Sequence, residues 1–198
     1  MPLAAVKTKF EQSIVQCTHA YWKIRAANAA LLHFSASSAW SGLELKFDNL
    51  PSLGCVTVPP SQTMQDALVE IQQYVRDGRA VAEHFMTAIS HLESFLAAVL
   101  MHKSLSTDGT LGVLLKRAEQ AFSLPISPEI EALIEIRERR NMLIHHHGFA
   151  QQRYLGCCTA TSLPSSIRST ALGQQLAIDN EYYAYACDKL LLYSHLFN

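Results

Sequence analysis

Three residues close together in the chain carry the side chains that metal-independent RNA cleavage needs. Arg140, Asn141 and His145 lie within the segment RNMLIH. In that reaction the ribose 2′-hydroxyl attacks the adjacent phosphate, which requires a group that takes or gives a proton near neutral pH, and histidine is the natural choice. Arginine offers a permanently charged fork that matches phosphate oxygens, and the amide of Asn141 can orient the histidine or hold the phosphate.

The segment that carries these residues has the start and stop signals of a helix. Ser127 is a typical N-cap, Pro128 suits the first helical position, and Glu129 places a carboxylate near the positive end of the helix dipole. The helix is predicted to run to about His147, where Gly148 can end it.

A turn of about 100° per residue assigns each side chain to a face of this helix. One apolar stripe comprises Ile130, Leu133, Ile134, Ile136, Leu143 and Ile144. The opposite face, which we expect to be solvated, comprises Glu131, Glu135, Glu138, Arg139 and His146. Arg137, Arg140 and Asn141 fall inside the apolar stripe, and His145 lies at its rim.

Arginines on a buried stripe require an explanation, because burying an unpaired arginine costs on the order of several kcal/mol of folding free energy. One explanation is internal pairing, for instance with Glu93 or Asp188. The other is a polar cleft. Arg140 and His145 point about 140° apart on one straight helix, so a single helix does not aim both at one phosphate well. Two copies meeting at a two-fold axis would line one cleft with both residue types.

The segment Arg140-Asn141-Met142-Leu143-Ile144-His145 resembles the R-x(4–6)-H motif of the HEPN superfamily (higher eukaryotes and prokaryotes nucleotide-binding). The amphipathic Leu92–Leu96 stretch and a closing helix with Tyr182, Tyr183 and Cys187 also resemble HEPN proteins of prokaryotic defence and toxin systems. The resemblance covers about residues 80–198. Some family toxins carry a tyrosine two positions after the motif histidine, where this chain has His147.

The resemblance implies an all-α fold, a four- to five-helix up-and-down bundle forming a single domain over residues 1–198. It also implies homodimerisation through the motif helix and an RNA substrate. The activity would be that of a metal-independent endoribonuclease that leaves 2′,3′-cyclic phosphate ends, as the toxin of a toxin–antitoxin or phage-defence pair with an antitoxin partner. The alternative is a catalytically inactive HEPN-like dimer that binds nucleotide or protein.

The same resemblance implies a role for each motif residue. Arg140 would bind and stabilise the phosphate, His145 would be the general acid/base, and Asn141 would be a supporting polar group. Arg137, His147 and Glu93 are further candidates for substrate contact, although Glu93 is also the expected partner of a buried arginine.

Composition narrows the function classes. The net charge of −1 excludes a global basic field that draws in nucleic acid, so RNA contact requires a local cluster of charge. The consecutive histidines at 145–147 point in different directions on a helix, and the five cysteines include no C-x-x-C spacing. We therefore expect no metal and no cofactor. No apolar run reaches about 18 residues, so we expect no membrane partner and a cytoplasmic protein with reduced thiols.

The remaining elements follow from periodicity and turn residues. Helices are predicted over about Ala4–Ser35, from Ser61 to Lys103 with a break at Asp77-Gly78, over Thr110–Phe122, and from Asp179 onward. Ser61 or Thr63 could cap the start of the second of these stretches. A short extended or hairpin excursion is expected near residues 43–58, where Val56 and Val58 would form part of a strand. Residues 148–178 read as a long loop with a strand-like piece near Tyr154, and Arg153 and Arg168 there as ordinary surface charges or contacts to RNA phosphates.

Overall fold

The chain is all-helical in class. The structure, a computed structural model, describes residues 2–35, 42–46 and 61–197. Within those ranges it contains eight helices and one pair of three-residue strands. In chain order they are α1 (Leu3–Ser35), β1 (Glu44–Lys46), β2 (Ser61–Thr63), α2 (Met64–Arg76), α3 (Arg79–His102), α4 (Leu111–Ala121), α5 (Pro128–His145), α6 (Gln152–Cys157), α7 (Ser165–Arg168) and α8 (Asn180–Ser194).

Two compact units make up the chain: residues 20–80, and residues 1–19 together with 81–198. In the smaller unit, β1 and β2 pair antiparallel with Leu45 opposite Gln62. The hairpin predicted near 43–58 therefore has its second strand at Ser61–Thr63, where the sequence indicated the start of a helix. Of the two predicted N-caps of that helix, Thr63 is the one observed: it accepts a hydrogen bond from the backbone N–H of Asp66 at 3.1 Å, and the helix begins at Met64. The strand predicted at Val56–Val58 lies outside the described residues.

The larger unit holds the core that supports α5. Phe10 of α1 stacks on Phe95 of α3 with ring centroids 4.5 Å apart, and Phe95 meets Phe197 edge-on at 5.4 Å. Apolar residues of α3, α5 and α8 are fully buried. They are Phe85, Leu92, Leu96 and Leu100 of α3, Leu133 and Ile136 of α5, and Leu190 of α8. This burial is what the sequence periodicity of α3 and α8 predicts.

Helix α5 is more enclosed than its sequence suggests, because α8 and α6 both pack against it. Glu135, Glu138 and Arg139, which were assigned to a solvated face, are buried. Arg137, Arg140 and Asn141, which were assigned to the buried stripe, are only partly buried, and Ile144 is exposed. The predicted burial of Ile130, Leu133 and Ile136 is confirmed. The faces predicted for the charged residues are wrong, since the prediction assumed one buried side and took no account of polar partners from other elements.

The segment 148–178 is ordered by two short helices and a strand-like contact rather than being a plain loop. Phe149 forms an isolated antiparallel bridge with Gln175. Tyr154, predicted near a strand-like piece, lies on α6 and is fully buried. Helices of six and four residues are too short to show periodicity, which is why the sequence did not reveal them.

One helix of the described ranges, α3, is long and apolar enough to cross a membrane by length and composition alone. Ten of its residues form part of the protein's own core: Ala80, Val81, Phe85, Ala88, Ile89, Leu92, Phe95, Leu96, Val99 and Leu100. The length and composition of α3 are therefore weak evidence for a membrane span.

Candidate active site

The carboxyl end of α5 positions the motif residues. Ser127 caps the start of the helix by accepting a hydrogen bond from the N–H of Ile130 at 3.4 Å. The helix ends at His145, and the chain then turns through His147 and Gly148, whose φ angles are +52° and +81°. The N–H of Gly148 donates to the carbonyl of Met142 at 2.9 Å, which closes the end of the helix as the sequence predicted.

A groove of about 590 Å³ opens beside this end of α5. Arg137, Arg140, Asn141 and His145 all line it. The groove is also lined by two further residues of α5, the N-cap and first residues of α4, the first residue of the turn after α5 and one residue of α6. These are Glu138 and Met142, then Thr110, Leu111, Gly112 and Val113, then His146 and Arg153. One groove thus collects the three motif residues and one of the further candidates.

Two of the predicted substrate contacts lie elsewhere. His147 is exposed and is not among the residues that line the groove, whereas its neighbour His146 is. Glu93 is on α3, where its Oε1 lies 3.8 Å from Nη2 of Arg140. The pairing of Glu93 with an arginine, which was the structural explanation for that residue, is present in the structure.

Arg140 is incompletely satisfied by these contacts. Its side chain is 26% exposed, the approach to Glu93 is long, and Nη1 reaches Oδ1 of Asn141 only at 3.5 Å. The buried Nε has no hydrogen-bond partner in the part of the chain that the structure describes. A guanidinium has five N–H donors, so Arg140 retains several N–H groups that can donate hydrogen bonds to a phosphate oxygen.

A buried carboxylate forms part of the groove floor. The side chain of Glu138 is 1% exposed, and its Oε1 lies 2.7 Å from Nη2 of Arg137. Arg153, from α6, approaches the other oxygen of Glu138 with its Nε at 3.1 Å. The sequence missed this arrangement, because Glu138 was assigned to solvent and the role of Arg153 was left open. The signal available in the sequence was that Glu138 stands between Arg137 and Arg139, on a helix that the bundle must enclose.

Behind the groove, on another side of α5, a second charged cluster is neutralised internally. Glu135 accepts hydrogen bonds from Nε of Arg139 at 2.9 Å, from the hydroxyl of Tyr182 at 2.8 Å and from the hydroxyl of Tyr154. Burial, and then the Glu135 charge, raise the pKa of both tyrosines well above the ordinary value, so both remain protonated donors at physiological pH. The cluster ties α5 to α6 and α8.

A second cavity, of about 410 Å³, lies on the Arg139 side of α5. Arg139 is already paired with Glu135 there, and Asp179 and Glu181 line the opening. These carboxylates repel phosphate, and no histidine lines this cavity. The charge and residue types therefore make the groove at the end of α5, called the motif groove below, better suited to a phosphate group than this second cavity.

Neither a metal-ligand cluster nor a disulfide stands out in residues 2–35, 42–46 and 61–197. No group of three His, Cys, Asp or Glu side chains there is arranged to hold a metal ion. Cys17, Cys157, Cys158 and Cys187 are free thiols.

Comparisons with models of known protein families, with curated proteins and with solved structures found no match. A function must therefore be inferred from the groove and its residues.

Proposed function

We propose that this protein is a metal-independent endoribonuclease of HEPN type whose active site is the groove at the end of α5. The observation that carries the proposal is that Arg140, Asn141 and His145 line one groove together. A cation that could bind phosphate and a histidine that could carry a proton thus border the same groove, although the two residues are five positions apart on a helix.

The reaction would proceed by transfer of phosphate within the strand. Arg140 binds a non-bridging phosphate oxygen and stabilises the charge that develops there. The 2′-oxygen forms a bond to phosphorus as the bond to the 5′-oxygen breaks, the 2′-hydroxyl proton passes to a histidine, and a protonated histidine supplies a proton to the departing oxygen. The products are a 2′,3′-cyclic phosphate and a 5′-hydroxyl end.

Two proton carriers are needed in this scheme, and His145 is one of them. His146 lines the same groove, and a second copy of α5 meeting the first at a two-fold axis would supply another His145. The resemblance to HEPN proteins supports the second arrangement. It also supports a cytoplasmic setting in which the protein is the toxin of a toxin–antitoxin or phage-defence pair.

A second candidate function is a catalytically inactive HEPN-like module that binds nucleotide or a partner protein. The ion pair between Arg140 and Glu93 favours it, because an arginine engaged within the protein has a structural role. The length of that contact, 3.8 Å, and the unpartnered Nε make this the weaker candidate.

The experiment compares wild-type protein with Arg140→Ala and His145→Ala on total RNA in the presence of EDTA. Lys116→Ala is the matched control, because Lys116 is an exposed cation of α4 that does not line the groove. We expect wild type and Lys116→Ala to cut at the same rate and each motif variant to be slower by about a hundredfold or more. Equal cutting by all four proteins would assign the activity to a contaminant, and RNA binding without cutting would favour the inactive module.

A further inference from the structure

The amino end of α4 borders the motif groove. Thr110, at the N-cap position, makes no side-chain cap hydrogen bond, and the first turn contains no acidic residue. The first N–H groups of a helix have no partner within the helix and carry its positive end charge. Leu111 and Gly112, the first two residues of α4, line the groove.

Arg137 approaches this positive helix end closely. A Cβ atom built on Gly112 would lie 3.1 Å from Nη1 of Arg137, so only glycine leaves the guanidinium its full space there. A permanently charged cation beside the positive end of a helix is unfavourable unless an anion lies between or beside them. Glu138, whose Oε1 lies 2.7 Å from Nη2 of Arg137, supplies one such anion.

The groove itself contains one carboxylate for three arginines. Glu138 is the acidic residue that lines it, against Arg137, Arg140 and Arg153. In both Arg137 and Arg153, Nε and Nη2 lie within 3.1 Å of a carboxylate oxygen of Glu138. Each guanidinium therefore keeps N–H groups for another acceptor. Arg153 is 73% exposed, so those groups are accessible from solvent.

We propose that Arg137, Arg153 and the amino end of α4 form a second phosphate subsite, next to the phosphate that Arg140 holds. The buried Glu138 orients the two arginines and leaves them one net positive charge, which the helix end reinforces. The inference rests on the proposed function, since it takes Arg140 as the site of the scissile phosphate. Its consequence is a substrate class: strands with at least two successive phosphates, as opposed to dinucleotides.

Binding of strands that cannot be cleaved tests the subsite separately from catalysis. The probes are a 2′-O-methyl dinucleotide, which has one internal phosphate, and a 2′-O-methyl trinucleotide, which has two, each with a fluorescent label and no terminal phosphate. We expect wild-type protein to bind the trinucleotide about tenfold more tightly, which is the gain from one further charge-assisted contact.

Two variants address the subsite, and one is the matched control. Arg153→Ala should bind the dinucleotide as wild type does but lose the gain for the trinucleotide, and the dependence of log Kd on log salt should fall by about 0.7. Gly112→Ala should act in the same direction but more weakly, because its Cβ shifts the end of the Arg137 side chain by a few tenths of an ångström while alanine favours the helix. Lys116→Ala is the matched control: it removes a cation of α4 that does not line the groove, and it should bind both probes as wild type does.

Several outcomes would overturn the subsite. Equal affinity of wild type for both probes would do so, as would an Arg153→Ala variant indistinguishable from Lys116→Ala, or competition by pyrophosphate as effective as by the trinucleotide. If the binding results are as expected but no RNA is cut, the subsite is supported and the proposed nuclease activity fails. Thermal melting of each variant shows whether the fold is intact.

Discussion

Arg139 and Arg140 are adjacent in the chain and have opposite surroundings. Arg139 is buried, donates to Glu135 and to the carbonyl of Ala177 at 3.0 Å, and lies over the ring of Tyr182 at 3.8 Å. Arg140 lines the open groove with an unpartnered Nε. Since successive residues of a helix turn by about 100°, one side of α5 can have a structural cation and the next side a binding cation.

Replacement of Glu135 by glutamine tests the structural side. Glu135 is fully buried, so the variant leaves the Arg139 charge buried without a counter-charge and weakens two tyrosine hydrogen bonds. We expect the free energy of unfolding to fall by about 3 kcal/mol in urea titrations. Glu131→Gln, at a partly exposed position of the same helix, should change it by less than about 1 kcal/mol, because it removes only a first-turn charge and weakens one hydrogen bond from Ser162. Equal stability of the two variants would contradict the assigned role of the cluster.

At this scale the sequence predicted the residue types of the site better than their surroundings. The sequence singles out the motif residues and Arg137 as site candidates and expects Arg140 and His145 to share a cleft through a second copy of the helix; in one copy all four line the groove. The burial of Glu135 was not predictable, because its partners Tyr154 and Tyr182 follow it by 19 and 47 residues and come from α6 and α8. A helical wheel contains no information about partners from other elements.

Element boundaries were predictable wherever a local capping signal fixes them. Ser127 and Gly148 bound α5, and Asp179 accepts a hydrogen bond from the N–H of Tyr182 at 2.7 Å where α8 begins. Gly78, with a φ of +73°, separates α2 from α3 as expected. In contrast, α6 and α7 form only because the surrounding bundle accepts Tyr154 and Ile167 as buried anchors. Such anchors depend on the assembled core, so the segment 148–178 gave no local signal.

A structural role and a substrate-binding role of the turn after α5 give different predictions for variants of His147. It has a left-handed φ of +52° and does not line the groove. His147→Gly should therefore cut RNA as wild type does, with an unfolding free energy that is unchanged or raised by up to about 1 kcal/mol. His147→Val should be less stable by about 1 kcal/mol or more, because a branched Cβ is strained there. Loss of cutting in a stable His147→Gly variant would show that this residue contacts substrate, as the sequence suggested.

For the whole molecule, a weak net charge coexists with a local concentration of positive charge. The chain has a net charge of −1, yet three arginines and two histidines line the groove with one carboxylate. Nucleic acid would therefore be attracted to this one place rather than to the surface in general, and its affinity should depend strongly on salt. This distribution is what the proposed activity on RNA requires of a nearly neutral protein.

The most direct test of the central claim is the chemistry of the cut ends. Wild-type protein is incubated in EDTA with a defined single-stranded RNA and, separately, with the same sequence carrying 2′-O-methyl groups throughout, and the products are identified by mass spectrometry. The account predicts that the RNA is cut to 2′,3′-cyclic phosphate and 5′-hydroxyl ends and that the methylated strand stays intact. Cleavage of the methylated strand at a similar rate, or products with 5′-phosphate ends, would contradict it.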